Sequence, residues 1–387
     1  MKPETTPSQD AVSVWDLHKT VSLAQAWRDW SGFVLLHPGE HSRQPLPFVP
    51  THDMALSAWL KSGYDETSPV HPLGCHFVAD GLITGQGYAF SKGRLLQQDA
   101  YLSRVARDEL GAKPDFTPAG SSHRASRVIE APVLEIVGPG SPVFGHWIVD
   151  FLPRAAIARD LLGPAFAQMR IALADHVPRW AEQLLEFHLQ IPAEQILRYD
   201  MHRETLLCRR LCVPTFGHSG SGYFFHSFVR EFYARPRGMR PADRSRRLCI
   251  SRRNFEDRTR GVLKRLDGRG HLEAAAVRLG FEVVCPEEHS VAEQYALFAQ
   301  AGAIVGEFGS GLHNSLFSAP GIVVGSVGCI NSIQHRVAAL MSQTVLYVIP
   351  EALGRGDDGA QLFRIASDRI EALLAQVVSL HDQSVLQ

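Results

Sequence analysis

The chain has 387 residues, 45 % hydrophobic and 20 % charged, an ordinary globular composition with enough length for two domains at roughly 100–200 residues each. Lys and Arg total 39 against 40 Asp and Glu, a net charge of -1, which argues against a general nucleic-acid binder or a polybasic membrane protein. No apolar run approaches the ~18 uncharged residues of a spanning helix.

Residues 1–10 are polar and lack the apolar run of a secretory leader. Residues 1–30 read as a flexible segment ending in a short amphipathic piece with Trp15, Trp27 and Trp30. From 31 to 120, short apolar runs broken by Gly, Pro and His predict strands at 33–36, 75–79, 82–84 and 88–90. Another strand is predicted at 132–137, with Pro132 tolerable at its first position and Gly138-Pro139-Gly140 ending it. The period then changes. Residues 146–162 have helical spacing, with Trp147, Phe151, Ala155 and Ala158 on one side. A strand at 171–174, a helix at 180–188 and a strand at 206–213 follow.

The stretch 234–245, rich in Pro, Gly and Arg, reads as the boundary between an acceptor-side domain at 31–235 and a second domain at 245–350. The second alternates strands at 247–251, 281–285, 303–306, 322–327 and 345–349 with helices at 262–279, 291–301, 312–318 and 332–341. The first of these helices has a break near Gly268–Gly270, and Ser290 with Glu293 forms a capping box for the second. Such alternation predicts a parallel sheet covered by helices on both faces. Residues 351–387 carry a last amphipathic helix, 367–380, expected to pack back on the N-terminal domain.

Three segments can carry chemistry. In S-P-V-F-G-H-W-I-V-D-F-L-P-R, from Ser141, His146 and Asp150 share one helix face near its N-terminus. An imidazole beside a carboxylate can deprotonate a hydroxyl near neutral pH. The same spacing suits a capping pair on a core helix, and which residue would hold the proton is open. In C-I-S-R-R-N-F-E-D-R, from Cys249, Arg252, Arg253 and Arg258 follow a predicted parallel strand. Open α/β sheets bind ligands at that end, and guanidinium groups match phosphate oxygens; a solvated basic loop is the plainer alternative. G-E-F-G-S-G-L-H-N-S-L-F, from Gly306, turns from a strand into a helix. Gly309 and Gly311 would let a diphosphate approach the free N–H groups of the helix start. The text is neither G-x-G-x-x-G nor a P-loop, and Glu307 is placed to accept from a sugar hydroxyl. The 18 histidines show no metal-ligand spacing, so no metal site is expected. His218 and His226, in a Gly/Ser/Phe-rich loop, suit acceptor contact better than a metal.

In this order and spacing the segments resemble the family 61 glycosyltransferases over about residues 80–350. The anchors are G-H-W-x-x-D-x-L-P-R at 145–154, I-S-R-R at 250–253, and G-x-x-G-S-G-L-x-N-x-L-F at 306–317 followed by Pro320-Gly321. The resemblance implies a GT-B-like α/β architecture, two Rossmann-like domains facing each other across a cleft. It implies an inverting, single-displacement transfer from a nucleotide sugar, with UDP the expected nucleotide, and no required cofactor. The acceptor would be a glycan or polysaccharide hydroxyl, as in bacterial capsule synthesis. Carried over by residue, His146 and Asp150 fall on the acceptor side, Arg252 and Arg258 on the donor phosphates, and Ser310, Gly311 and Asn314 around the donor. Arg253, Glu307, Gly309 and His313 complete the candidate donor set. Family members often have His where this chain has Phe308, Thr where it has His313, and an Asn-Glu pair that is absent from R-T-R-G-V-L-K-R at 258–265. His313 is a candidate substitute for the missing imidazole. A catalytically silent nucleotide-sugar or glycan binder of the same fold is the alternative reading, and a GT-B-like epimerase or phosphorylase a third. The six scattered cysteines are too few for a disulfide scaffold, so a cytoplasmic protein is expected, at most peripheral to the inner face of the membrane.

Overall fold

The computed structural model describes residues 11–13, 19–42, 67–97, 125–219, 223–235, 244–254, 264–330, 332–356 and 361–385. Residues 1–10, Trp15 and Arg258 lie outside them. The described residues form mixed α/β structure in two compact units, one within Met1–Glu40 and Pro69–His226, the other within His41–Ser68 and Ser227–Gln387.

The first unit is built on a mixed sheet. Its centre is the antiparallel pair Leu73–Thr84 and Thr205–Pro214, in register from Thr84 opposite Thr205 to Cys75 opposite Pro214. Ser31–His37 and Tyr88–Ser91 pair antiparallel with the first of these, and Arg94–Gln97 follows Tyr88–Ser91. Val133–Glu135, Arg170–Ala174 and Ile196–Tyr199 continue the other side in parallel. This is not the Rossmann-like sheet that the resemblance implied for this half. Tight turns join Leu73–Thr84, Tyr88–Ser91 and Arg94–Gln97, and connections that short force antiparallel neighbours. The runs 75–79 and 82–84 belong to one strand, not two. Asp80 sits between them at φ 51 and accepts a hydrogen bond from Arg209 Nη1 at 2.8 Å. An Asp-Gly pair reads as a hairpin turn in sequence; here it twists a continuous strand.

One helical run crosses this unit: Phe144–His146, a wider π-type turn over Trp147–Phe151, then Leu152–Leu162. The sequence pattern put its apolar residues on one side. The structure buries it all round, with Ile148, Val149, Ala156 and Ile157 as inaccessible as Trp147, Phe151 and Ala155. A helix apolar on every side belongs inside a core. The π-type turn has a cause in the sequence. Pro153 has no N–H, and its ring crowds the carbonyl four residues back. The N–H of Leu152 bonds to Trp147 O, five residues back. Such turns recur at functional sites.

The second unit holds a five-stranded parallel sheet in the spatial order Glu282–Val284, Arg246–Ile250, Ala301–Glu307, Val323–Val327, Thr344–Val348. The first strand in the chain thus lies between the second and the third, a doubly wound order. Arg269–Arg278 and Ser367–Val385 pack together, over a core that includes Leu272, Ala276, Val305, Leu346 and Leu374. Val291–Ala299 and Ser332–Leu340 pack on a short 3₁₀ helix, Ser310–Phe317. The capping box forms: Ser290 Oγ accepts from the Glu293 N–H, and the Glu293 carboxylate accepts from the Ser290 N–H at 2.8 Å.

Two expectations for this unit change. Lys264–Asp267 is a strand, paired in parallel with Gln361–Arg364, which also pairs with Ala352–Arg355. Four residues are too few to show a strand period, so the text read as the start of the following helix. That helix begins at Arg269, after Gly268 at φ 94. The last helix, Ser367–Val385, lies on Ala301–Glu307, Val323–Val327 and Thr344–Val348 of its own unit, where the sequence reading sent it back to the N-terminal domain.

Candidate functional site

In the first unit, His146 and Asp150 meet as their spacing predicts. His146 Nδ1 lies 2.7 Å from Asp150 Oδ2. The other carboxylate oxygen, Oδ1, lies 2.7 Å from Nε2 of His218. Asp150 is 0 % exposed, and the side chain of His146 is 27 % exposed. Nε2 of His146 has no hydrogen-bond partner among the described residues. The two residues thus share a helix face, with His146 partly exposed and Asp150 fully buried.

The electrostatics follow from that burial. Removal from water alone would push the Asp150 carboxyl up, but the hydrogen bonds from His146 and His218 outweigh it and hold the group below its ordinary value. For His146, burial works downward, and the hydrogen bond to Asp150 with its charge reverses the balance, so its pKa is raised. A buried carboxylate without partners would be costly; two imidazoles on its two oxygens make it tolerable.

The neighbouring sequence builds this geometry. Gly140, at φ 94, lets the turn 138–141 lie against the imidazole: an added Cβ would come within 3.3 Å of His146 Cδ2. One turn after Asp150, Arg154 is fully buried and paired with Glu135, Nη2 to Oε2 at 2.8 Å. Its Nε donates to Pro214 O at 3.1 Å, and its guanidinium lies 4.6 Å above the ring of Phe216. The N–H of Thr215 donates to Gly74 O at 2.9 Å, and the N–H of Gly74 returns to Thr215 Oγ1 at 3.1 Å. Arg154 and Gly74 thus fix the chain between the strand Thr205–Pro214 and His218. The arginine that ends the G-H-W-x-x-D-x-L-P-R text is the tie that delivers His218 to Asp150.

In the second unit, two chain segments meet where the strand order reverses. Arg246–Ile250 and Ala301–Glu307 are neighbours whose chain continuations run to opposite sides of the sheet, the place where doubly wound sheets hold ligands. Arg252 follows the first strand and the turn 308–311 follows the second. Arg252 Nη1 lies 3.4 Å from Phe308 O, and an added Cβ on Gly309 would be 3.5 Å from it. Gly309 has φ 143 and ψ -174, a conformation essentially reserved for glycine. Gly311 has no such φ; its constraint is Ile250, whose Cγ2 would lie 3.1 Å from an added Cβ. Ser310 and Gly311 are half-buried at the turn.

The other candidates of this set sit differently. Arg253 is exposed, with Nη1 3.6 Å from Glu273 Oε2. Glu307 is buried and accepts from the N–H of Leu266 at 3.1 Å and from Arg269. It ties the strand Lys264–Asp267 and the next helix to the sheet, so its carboxylate is not the open acceptor for a sugar hydroxyl that the sequence suggested. His313 and Asn314 are buried beneath the turn, and Asn314 Nδ2 donates to Gly311 O at 3.1 Å. Asn314 shapes the turn from below, and a buried His313 does not replace an imidazole at the turn's surface. Phe308 packs edge-on to Phe363, ring centroids 5.5 Å apart.

Sequence reasoning did not assign His218, Arg154, Glu135 or Arg269. Arg154 stood inside a quoted motif, and His218 in a flagged loop; no spacing joins residues 68 positions apart. Among the described residues, no three His, Cys, Asp or Glu side chains are arranged to hold a metal ion. A family model described as Glycosyltransferase 61 matches residues 144–325, a span that takes in the His146–Asp150 pair, Arg252 and the turn 308–311. No curated protein matches the chain.

Proposed function

We propose that this chain, whose residues 144–325 match the family 61 glycosyltransferases, transfers a sugar from a UDP-linked donor to a glycan or polysaccharide hydroxyl with inversion at the anomeric carbon. His146 is the base. Its Nε2 takes the proton of the acceptor hydroxyl as that oxygen attacks the anomeric carbon from the face opposite the diphosphate. The carbon–oxygen bond to the diphosphate breaks, and UDP leaves with the electron pair. Asp150 keeps the proton of His146 on Nδ1 and stabilises the imidazolium that forms. A carboxylate with no exposure and both oxygens engaged is poorly placed to take the acceptor proton itself, which supports His146 over Asp150 as the base.

Arg252 and the N–H groups of Gly309, Ser310 and Gly311 receive the negative charge that develops on the leaving diphosphate, the Phe308 N–H being held by Val327 O at 2.8 Å. We place the protein in a reducing, cytoplasmic setting, where cysteines outside disulfides, as these are among the described residues, are the rule. Among the described residues, no helix is long and apolar enough to cross a membrane. The observation that carries the reading is the imidazole–carboxylate pair whose remaining ring nitrogen has no hydrogen-bond partner among the described residues, in a chain that also presents a glycine turn and an arginine at a sheet's switch point.

The test is a thermal-shift screen of UDP and of UDP-linked N-acetylglucosamine, glucose, xylose and arabinose, followed by UDP release with and without EDTA. A donor that binds the native state raises the melting temperature. The reading expects a shift with UDP, faster release of UDP when an oligosaccharide acceptor is added, and no loss in EDTA. No shift with any UDP compound contradicts the donor assignment.

A further inference from the structure

We propose that His218 is a positioning residue: it donates from Nε2 to Oδ1 of Asp150, and through that carboxylate it fixes Oδ2 on Nδ1 of His146. The inference rests on the reading of His146 as the base.

The tautomer of His218 follows from its surroundings. Nε2 is 2.7 Å from a carboxylate oxygen, which can only accept. Nδ1 is buried with no hydrogen-bond partner among the described residues. The ring lies among Phe216, Tyr223 and Phe225, with centroids 5.6, 4.5 and 5.8 Å away. A proton on Nδ1 would be a buried donor without an acceptor, which costs more than an idle lone pair. The proton therefore sits on Nε2 and points at Asp150.

The consequence reaches His146. A carboxylate buried at the π-type turn has two oxygens to satisfy, and its rotamer is set by where its partners stand. With His218 holding Oδ1, Oδ2 is aimed at Nδ1 of His146. That keeps the proton of His146 on Nδ1 and its lone pair on Nε2, the nitrogen free to take a proton. Without His218, Oδ1 is a buried acceptor with no donor, and the carboxylate can turn away. The two histidines come from different elements, the helix start and the segment beyond Thr205–Pro214. The site is therefore assembled only when the Arg154 tie and the Gly74–Thr215 bonds are in place.

The experiment compares His218→Phe, which keeps ring and volume and removes the donor, with His218→Gln, whose amide restores an N–H where Nε2 was. Long-range ¹H–¹⁵N spectra of histidine-labelled protein report the tautomer of each ring, with His146 assigned from His146→Gln. The proposal expects His218 in the Nε2–H form and His146 in the Nδ1–H form. His218→Phe should mix the tautomers of His146, and His218→Gln should restore them. In the UDP-release assay, His218→Phe should lower kcat by about 10–100-fold, the usual cost of losing a partner one shell out, with the donor KM within about twofold. His218→Gln should regain most of that loss. Unchanged His146 signals in a folded His218→Phe protein overturn the proposal, as does His218→Gln performing no better than His218→Phe. Wild-type protein that releases UDP from no donor contradicts the proposed transfer instead, and the spectra still decide the role of His218.

Discussion

At the scale of single residues, the chemistry turns on Asp150 being charged and buried at once. Burial would lower the His146 pKa, and the hydrogen bond to Asp150, together with that carboxylate's charge, raises it. The acid limb of kcat/KM should therefore lie above the ordinary histidine value of about 6.5, because the base is lost as pH falls through a raised pKa. Asp150→Asn removes the charge and leaves the burial, so the limb should move to lower pH. A pH–rate series on the two proteins checks this, and a limb that stays put would separate Asp150 from the base. The pair Arg154–Glu135 is the second residue-scale feature. Both side chains are 1 % exposed, so removing one partner strands the other charge in the core. Arg154→Met should cost about 3–5 kcal/mol of stability by urea unfolding, and Glu135→Gln added to it should recover part of that.

At the scale of elements, the donor turn separates two kinds of constraint. Gly309 is held by backbone conformation and Arg252 by what its guanidinium can bind. Gly309→Ala should lower both the melting temperature and UDP affinity, since a side chain at φ 143 strains the backbone by about 1–3 kcal/mol. Arg252→Ala should lose about 1.5–3 kcal/mol of UDP binding by calorimetry while the melting temperature barely moves. Equal UDP affinity in wild type and Arg252→Ala would remove this loop from the donor site.

The same scale shows what the sequence could reveal. The parallel sheet of the second unit was legible because each strand is a short apolar run and each helix shows its own period and cap, as at Ser290 and Glu293. Lys264–Asp267 was not, because its strand character comes only from Gln361–Arg364 beside it. The runs 75–79 and 82–84 read apart because Asp80 and Gly81 interrupt the apolar text, whereas nine registered partners along Thr205–Pro214 hold them in one strand. In the site, His146 with Asp150 was readable from spacing on one helix. His218 was not, because its place depends on Arg154 and Gly74 folding a distant strand into register.

At the scale of the whole molecule, each unit hides a histidine from water. Burial pushes His188 down to about 3 and His335 down to about 4. Both are lowered from an unfolded value near 6.5, so their contribution to stability is present above about pH 6.5 and is lost as pH falls toward 4. The unfolded chain takes up protons that the folded chain refuses, about 1.4 kcal/mol per pH unit for each histidine. His146, whose pKa is raised, gains its contribution as pH falls to about 6.5 and changes no further below that, so it does not offset the loss from the two buried histidines between about pH 6.5 and 5. The melting temperature should therefore fall between pH 7 and pH 5, measurably by calorimetry, and the fall should lessen in a His188→Gln protein. The central claim, that His146 is the base of a glycosyl transfer, is tested most directly by His146→Gln. Its side chain is partly exposed, so the fold should survive the change. Turnover per folded molecule and UDP affinity are measured on one preparation. The account predicts a fall in turnover of about 10²–10⁴ with UDP affinity unchanged; turnover that stays near wild type in the folded variant would contradict it.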